Sequence, residues 1–346
     1  MKKKIKVLIT GAGSAVGQAI YKSLKLSNLP LQIFTSDITE LSANLYRSKK
    51  SFLIPKVEKK NSLKWFISFL KKNKINVLMI GSEYEIIFFS KNKRKIEKET
   101  GTLVCVSNYK ICRLSNDKLA TQLFLKKNNL NYLETYKIKN SQDLIKKSKT
   151  LKFPLVLKDQ TGTSSRNVFI INKTSELKKY FDKKRNQILQ KFVKSKTKNS
   201  NFEYTCSFFK TKEGGILGPY VGKRKLVNGH SWIIETGKFP KIKEYIEKLA
   251  KKIDCQGSFN VQLQDGPKGP IPFEFNSRFS GTTAIRSNYG FNEPEMFLKN
   301  YFLGQKLKTP KIKSGMCFTY HEEIFVNTSM NKLKSNFSKG YIKKWF

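Results

Sequence analysis

Strands of four to six residues alternate with helix-length segments through the first third of the chain, and this pattern leaves few folds open. Residues 5–10 form an apolar run that ends in the glycine motif Gly11-Ala-Gly13-Ser-Ala-Val-Gly17 and leads into an amphipathic stretch over 15–26. Further short apolar runs lie at 31–35, 51–54, 77–80 and 103–106, with a helix predicted over 63–72. Such alternation specifies a parallel, doubly wound sheet. The opening Met-Lys-Lys-Lys imitates a signal peptide, but the apolar run behind it is short and meets glycine at once, so a first strand is expected there.

The pattern changes after residue 106. Ser115-Asn116-Asp117 reads as a helix N-cap before 118–127. Strands are predicted at 155–158, 167–171, 188–192 and 204–209, with one helix at 175–183. A helix over 242–253 precedes a β pair, 257–264 and 271–275, joined by Asp265-Gly-Pro-Lys-Gly-Pro. This is antiparallel α+β material and belongs to a second domain. The Lys-rich tail carries one strand-like stretch, 316–321.

Composition removes several function classes. The 346 residues include 68 Lys+Arg against 25 Asp+Glu, a formal net charge of +43. The lysines are spread evenly and accompany Asn and Ile, all residues of AT-rich codons, and no basic block stands apart. The charge therefore reads as solvated faces, and nucleic acid is not the expected partner. No run approaches the roughly 18–20 apolar residues of a membrane span. Five scattered cysteines without a CxxC pair argue for a reducing, cytoplasmic setting and against a disulfide framework or a zinc site.

Two glycine-bearing segments compete for the chemistry. The first sits at a strand–helix junction, with Asp37 closing the second strand where a dinucleotide fold places its ribose-binding acid. Taken alone it suggests an NAD(P)-dependent oxidoreductase or epimerase; glycines that merely permit a tight turn are the plainer reading. The second is Gly162-Thr163-Ser164-Ser165-Arg166-Asn167, a small hydroxyl-rich loop just after Lys158. With Lys118 at a helix start, it offers point charges and free N–H and O–H donors to a polyphosphate. Further on, Glu203 stands among strand residues, where it can accept hydrogen bonds from ribose hydroxyls. The strand period puts Glu274, Asn276 and Arg278 on one face, next to a strand carrying Gln262. A carboxylate, amide oxygens and a guanidinium on one face suit a Mg²⁺–phosphate centre.

In order and spacing, Asn116-Asp117-Lys118, the Pro-Leu-Val-Leu-Lys158 strand, Gln190-Lys191-Phe192-Val193, Glu203-Tyr-Thr and Glu274-Phe-Asn276-Ser-Arg278 resemble an ATP-grasp enzyme. The similarity is to the carbamoyl-phosphate-synthase-large-chain-like branch and covers nearly the whole chain. It implies a Rossmann-like parallel-sheet pre-ATP-grasp domain over 1–112, a two-lobed ATP-grasp domain over 113–305 and a C-terminal extension over 306–346 packed on it. It further implies that Lys118 and Lys158 contact ATP phosphates and that Gly162, Thr163, Ser164 and Ser165 close over them. Gln190, Lys191, Phe192 and Val193 would line the adenine pocket and Glu203 would hold the ribose. Gln262, Glu274 and Asn276 would ligate one or two Mg²⁺, with Mn²⁺ as a substitute. Arg278 would stabilise the transferred phosphoryl group, and Arg224, near His230, would face phosphate or substrate. The resemblance thus implies a carboxylate–amine ligase that forms an amide through an acylphosphate and releases ADP, with small-molecule substrates and, as among relatives, a homodimer. A non-catalytic nucleotide- or polyanion-binding protein is the alternative, since Asn167 stands where the family loop carries a second glycine.

Overall fold

The computed structural model describes residues 4–162, 167–193, 202–320, 322–326, 329 and 340–341. The first region comprises β1 (Ile5–Thr10), α1 (Ala15–Lys25), β2 (Leu31–Asp37), β3 (Ser51–Leu53), α2 (Ser62–Asn73), β4 (Val77–Ile80), α3 (Glu83–Thr100) and β5 (Leu103–Cys105). Its strands are parallel in the order β3-β2-β1-β4-β5. Val7, Leu8 and Ile9 of the central strand are fully buried, as a strand covered on both faces requires. One face packs Phe66 and Leu70 of α2 and Phe89 of α3 against Leu8, Leu78 and Val104.

Two short helices, α4 (Tyr109–Asn116) and α5 (Lys118–Lys127), lead out of this region. The predicted cap is Asp117 alone: its carboxylate accepts from the Leu119 and Ala120 N–H groups, while Ser115 and Asn116 finish α4. Next come β6 (Thr135–Lys137), α6 (Ser141–Leu151), β7 (Leu155–Asp159), β8 (Phe169–Ile171), α7 (Thr174–Tyr180) and β9 (Gln187–Lys191). Their four strands form an antiparallel sheet, β6-β9-β7-β8, over a small core that includes Leu144, Leu155, Leu157 and Leu189. The strand expected from residue 167 starts at Phe169, because Asn167 adopts φ 58°, a left-handed turn geometry.

The larger antiparallel sheet holds β10 (Phe202–Lys210), β11 (Ile216–Val227), β12 (His230–Thr236), β13 (Gly257–Gly266), β14 (Gly269–Asn276) and β15 (Gly315–Phe318). Its order is β14-β13-β10-β11-β12-β15, so the tail strand closes one edge. Helix α8 (Pro240–Ala250) covers one face through Ile246 and Leu249, which pack with Phe208, Phe259 and Val261. The opposite face carries Glu203, Thr205 and Ser207 of β10, and Asn260 and Gln262 of β13 beside Asn276 and Glu274 of β14. Strand β14 ends at Asn276, so Arg278 lies just past the strand rather than on it. Beyond it come α9 (Thr283–Asn288), α10 (Glu293–Phe297) and a π turn, Leu298–Phe302. These bind the first region to the large sheet: Val7, Ile9, Val16 and Ile20 share one core with Phe209, Tyr220, Phe291 and Phe297. A short pair, β16 (Phe325–Val326) and β17 (Gly340–Tyr341), completes the described strands. Among the described residues, no helix is long and apolar enough to cross a membrane.

Candidate active site

The first glycine motif is closed by its own neighbours. Gly13 N–H donates to Asp37 Oδ2 at 2.7 Å, and Ile38 N–H donates to Asp37 Oδ1 at 2.7 Å. The acid expected at a ribose therefore holds its own loop together. Ser14 caps α1 by accepting from Gly17 N–H at 2.9 Å, and its hydroxyl donates to Gly81 O at 2.6 Å. A Cβ on Gly17 would come within 2.7 Å of Ala12 Cα, and one on Gly81 within 2.7 Å of Gly17 Cα. These glycines serve close packing of β1, β4 and α1.

The second set of predicted residues converges. Register places Gln262 opposite Glu274 and Asn260 opposite Asn276 across β13 and β14. Asn276 Nδ2 donates to Glu274 Oε1 at 3.0 Å, and Arg278 donates to Asn276 Oδ1 at 3.1 Å. Lys118, Gly162, Glu274, Asn276 and Arg278 line one cleft. Lys118 Nζ donates to Gly162 O at 2.7 Å, so the helix start and the loop start already meet. Lys158 is 7% exposed at the inner end of β7. Burial first, then the charge of Lys118, push it down to about 8, against the pull of Glu274. Lys118 is lowered too, chiefly by burial, with Glu274 the main opposing charge. Two desolvated lysines near Glu274 make this a locally cationic region.

The remaining predicted residues are placed as follows. Thr163, Ser164, Ser165 and Arg166 lie outside the described residues. Asn167 Nδ2 donates to Asp159 Oδ2 at 3.3 Å, and Arg185 pairs with that same carboxylate. Gln190 is buried and donates to Thr135 Oγ1 at 2.8 Å, so its side chain serves the sheet. Lys191 and Phe192 follow with backbone N–H bonds to Glu134 O and Pro154 O, and Val193 approaches the β13–β14 turn near Gly266. Glu203, expected at a ribose, accepts two bonds from Arg224 through Oε1, at 3.0 and 2.6 Å. Burial raises the Glu203 pKa and Arg224 opposes that rise. Arg224 also donates to Ser231 Oγ at 3.1 Å, while His230 starts β12 on an exposed turn.

Two features escaped the sequence. Glu83, in the first turn of α3, forms an ion pair with Arg278 and lines the same cleft. Its signal was positional: it follows β4, and ligands of doubly wound sheets gather outside the strand ends where the order reverses, here between β1 and β4. Beneath the polar face, Arg286 and Glu293 form a fully buried ion pair, bonded also to Thr205, Asn260, Ser207 and Ser258. That pair braces the strands that present Asn276 and Gln262.

As candidate metal donors, Glu274, Asn276 and Gln262 are one carboxylate and two amides, hard oxygen groups of the kind Mg²⁺ accepts when substrate phosphates complete its shell. Among the described residues no group of three His, Cys, Asp or Glu side chains could hold a metal unaided.

Three family profiles match successive parts of the chain. Residues 7–104 match "PylC-like, N-terminal domain", residues 115–202 "RimK-like ATP-grasp domain" and residues 201–324 "ATP-grasp in the biosynthetic pathway with Ter operon". A carbamoyl-phosphate synthase of Methanobrevibacter smithii is 28% identical over 202 residues, 58% of this chain and 52% of that protein. The chain thus matches about half the length of that curated relative. Among solved structures, N5-carboxyaminoimidazole synthetase from Staphylococcus aureus complexed with ADP superposes with TM-score 0.71 at 16% identity, covering 91% of this chain and 82% of that one. The biotin carboxylase domain dimer of Hydrogenobacter thermophilus 2-oxoglutarate carboxylase, with MgADP and bicarbonate, gives 0.68 at 14%, covering 91% and 74%. L-amino acid ligase from Bacillus licheniformis gives 0.66 at 14%, covering 86% and 74%.

Proposed function

Because the chain carries the ATP-grasp fold behind a Rossmann-like domain, we propose that it is an ATP-dependent carboxylate–amine ligase. The observation that carries this reading is the convergence of Lys118, Gly162, Glu274, Asn276 and Arg278 around one cleft, from segments far apart in the chain, with the buried Lys158 feeling the charges of Lys118 and Glu274. Lys118 and Lys158 neutralise the phosphates, and the segment Gln190–Val193 borders the base. Glu203, with one oxygen held by Arg224, would offer the other to the ribose. Glu274, Asn276 and Gln262 would hold Mg²⁺, which neutralises phosphate charge when bound, and Mn²⁺ would substitute.

A substrate carboxylate oxygen attacks the γ-phosphorus and the bond to the β,γ-bridging oxygen breaks, giving an acylphosphate and ADP. An amine then attacks the acyl carbon, and phosphate leaves as the amide forms and the amine sheds its proton. Positioning and charge neutralisation do the work, with Arg278 facing the transferred group. The N5-carboxyaminoimidazole synthetase and the L-amino acid ligase among the solved neighbours support this class, as does the carbamoyl-phosphate synthase relative. The partners are two small molecules, and a homodimer is the assembly we propose, one neighbour being described as a dimer. Five free cysteines suit a reducing cytoplasm.

The test is nucleotide product analysis with Mg²⁺-ATP across paired carboxylate and amine libraries, with mass detection of condensed product. The reading expects ADP together with an amide; release of AMP contradicts it.

A further inference from the structure

Arg278 already has an anion. Its guanidinium meets the Glu83 carboxylate, which comes from the first turn of α3, in the other domain. Both side chains are largely buried, 12% and 18% exposed, and both line the cleft with Lys118 and Glu274. A desolvated cation beside a second cation requires a counter-charge.

The aim of Arg278, however, does not depend on Glu83. Arg278 NH1 donates to Phe279 O at 2.7 Å and NH2 to Asn276 Oδ1 at 3.1 Å, both within its own segment. Nearby, a Cβ on Gly281 would lie 3.3 Å from the Ala15 Cβ, so the loop carrying Arg278 is seated against the start of α1 whatever Glu83 does. Glu83 thus supplies charge without supplying direction. A transferred phosphoryl group needs that same guanidinium. Two anions crowded at one buried cation repel, so the binding of one weakens the hold on the other.

We propose that Glu83 is an internal anion that occupies the phosphate position at Arg278 and is exchanged for the terminal phosphate of ATP. This rests on the ligase reading above and adds to it a residue of the first domain that sets how strongly the site favours triphosphate. Exchange has a consequence for turnover. ADP has no γ-phosphate to hold Arg278, so Glu83 returns to it as products leave.

Calorimetric titration of the full chain with Mg²⁺-AMP-PNP and with Mg²⁺-ADP tests this. Glu83→Gln is expected to bind AMP-PNP about tenfold tighter than wild type, with ADP affinity held within about twofold. In an Arg278→Ala background, where no cation is shared, the same substitution is expected to change the ratio of triphosphate to diphosphate affinity by a clearly smaller factor. Glu83→Ala removes the same charge and takes its place if thermal melting shows that Glu83→Gln does not fold. An unchanged ratio of triphosphate to diphosphate affinity overturns the proposal. So does a weakened AMP-PNP affinity, which would make Glu83 a positioning residue. A wild-type chain that binds neither nucleotide defeats the ligase reading itself, and this inference with it.

Discussion

The chain has two glycine-bearing loops after strands, and they are built in opposite ways. At Gly11–Gly17 the loop is packed from within: Asp37 takes the Gly13 N–H, Ser14 caps the helix, and a Cβ at Gly17 would strike Ala12. At Gly162, among the described residues, nothing lies within 4 Å of where a Cβ would sit, and the backbone holds φ 107°. Glycine at the first loop is a packing requirement, whereas at the second it answers to backbone geometry beside an open cleft. The more familiar motif is packed from within, and Gly162 of the plainer one borders the cleft.

The comparison breaks most visibly at Gly17. Gly17→Ala forces a Cβ onto the Ala12 backbone, and a cost of about 3 kcal/mol or more is expected from overpacking at a site that cannot yield. Thermal denaturation would show it, and ATP turnover measured on the remaining folded protein should be unchanged. An effect confined to nucleotide affinity would instead restore a ligand role to the first loop. At the second region the expected profile is reversed. Glu274→Gln should lower ADP formation by about 100-fold or more, with melting temperature nearly unaltered, because it removes the one carboxylate among the candidate metal donors. Smaller again is a pH effect at Lys158, held near 8 by burial and Lys118. Its charge is lost as pH rises through 8, so the Michaelis constant for ATP should climb there, and Lys158→Arg should flatten that rise.

A separate pH effect concerns Glu85, buried in the first region beside Thr10 and pushed from 4.5 up to about 8, chiefly by burial. Its folded pKa is raised, so the stabilisation is full below about 4.5, declines as pH rises and is gone above about 8. Urea unfolding at pH 5 and pH 8 should show this slope, and Glu85→Gln should remove it. An unchanged slope in the variant would assign the pH dependence elsewhere.

Local chemistry was readable where neighbours in sequence are neighbours in space. The parallel strands announced themselves through fully apolar runs such as Val77–Ile80, and Glu274, Asn276 and Arg278 act together because they are two residues apart. Helix α3 was not readable. Its apolar residues Ile86–Phe89 form a continuous run without helical period, and beyond it Ile96 stands alone among six lysines, arginines and glutamates between 93 and 99. The partners of site residues were equally hidden. Arg278 meets Glu83 across 195 residues of chain, and Glu203 meets Arg224 only through the β10–β11 register. Spacing in sequence carries no information about either. Asn167 lay between these cases: its left-handed backbone follows from the tolerance of Asn for that region, while its bond to Asp159 required the fold.

Hydrogen exchange of the full chain with and without Mg²⁺-AMP-PNP tests most directly which loop region receives the nucleotide. The account predicts new protection in peptides spanning Lys158–Gly162 and Gln190–Val193, and none in those containing Gly11–Gly17. Protection at Gly11–Gly17 without change at the second region would contradict it.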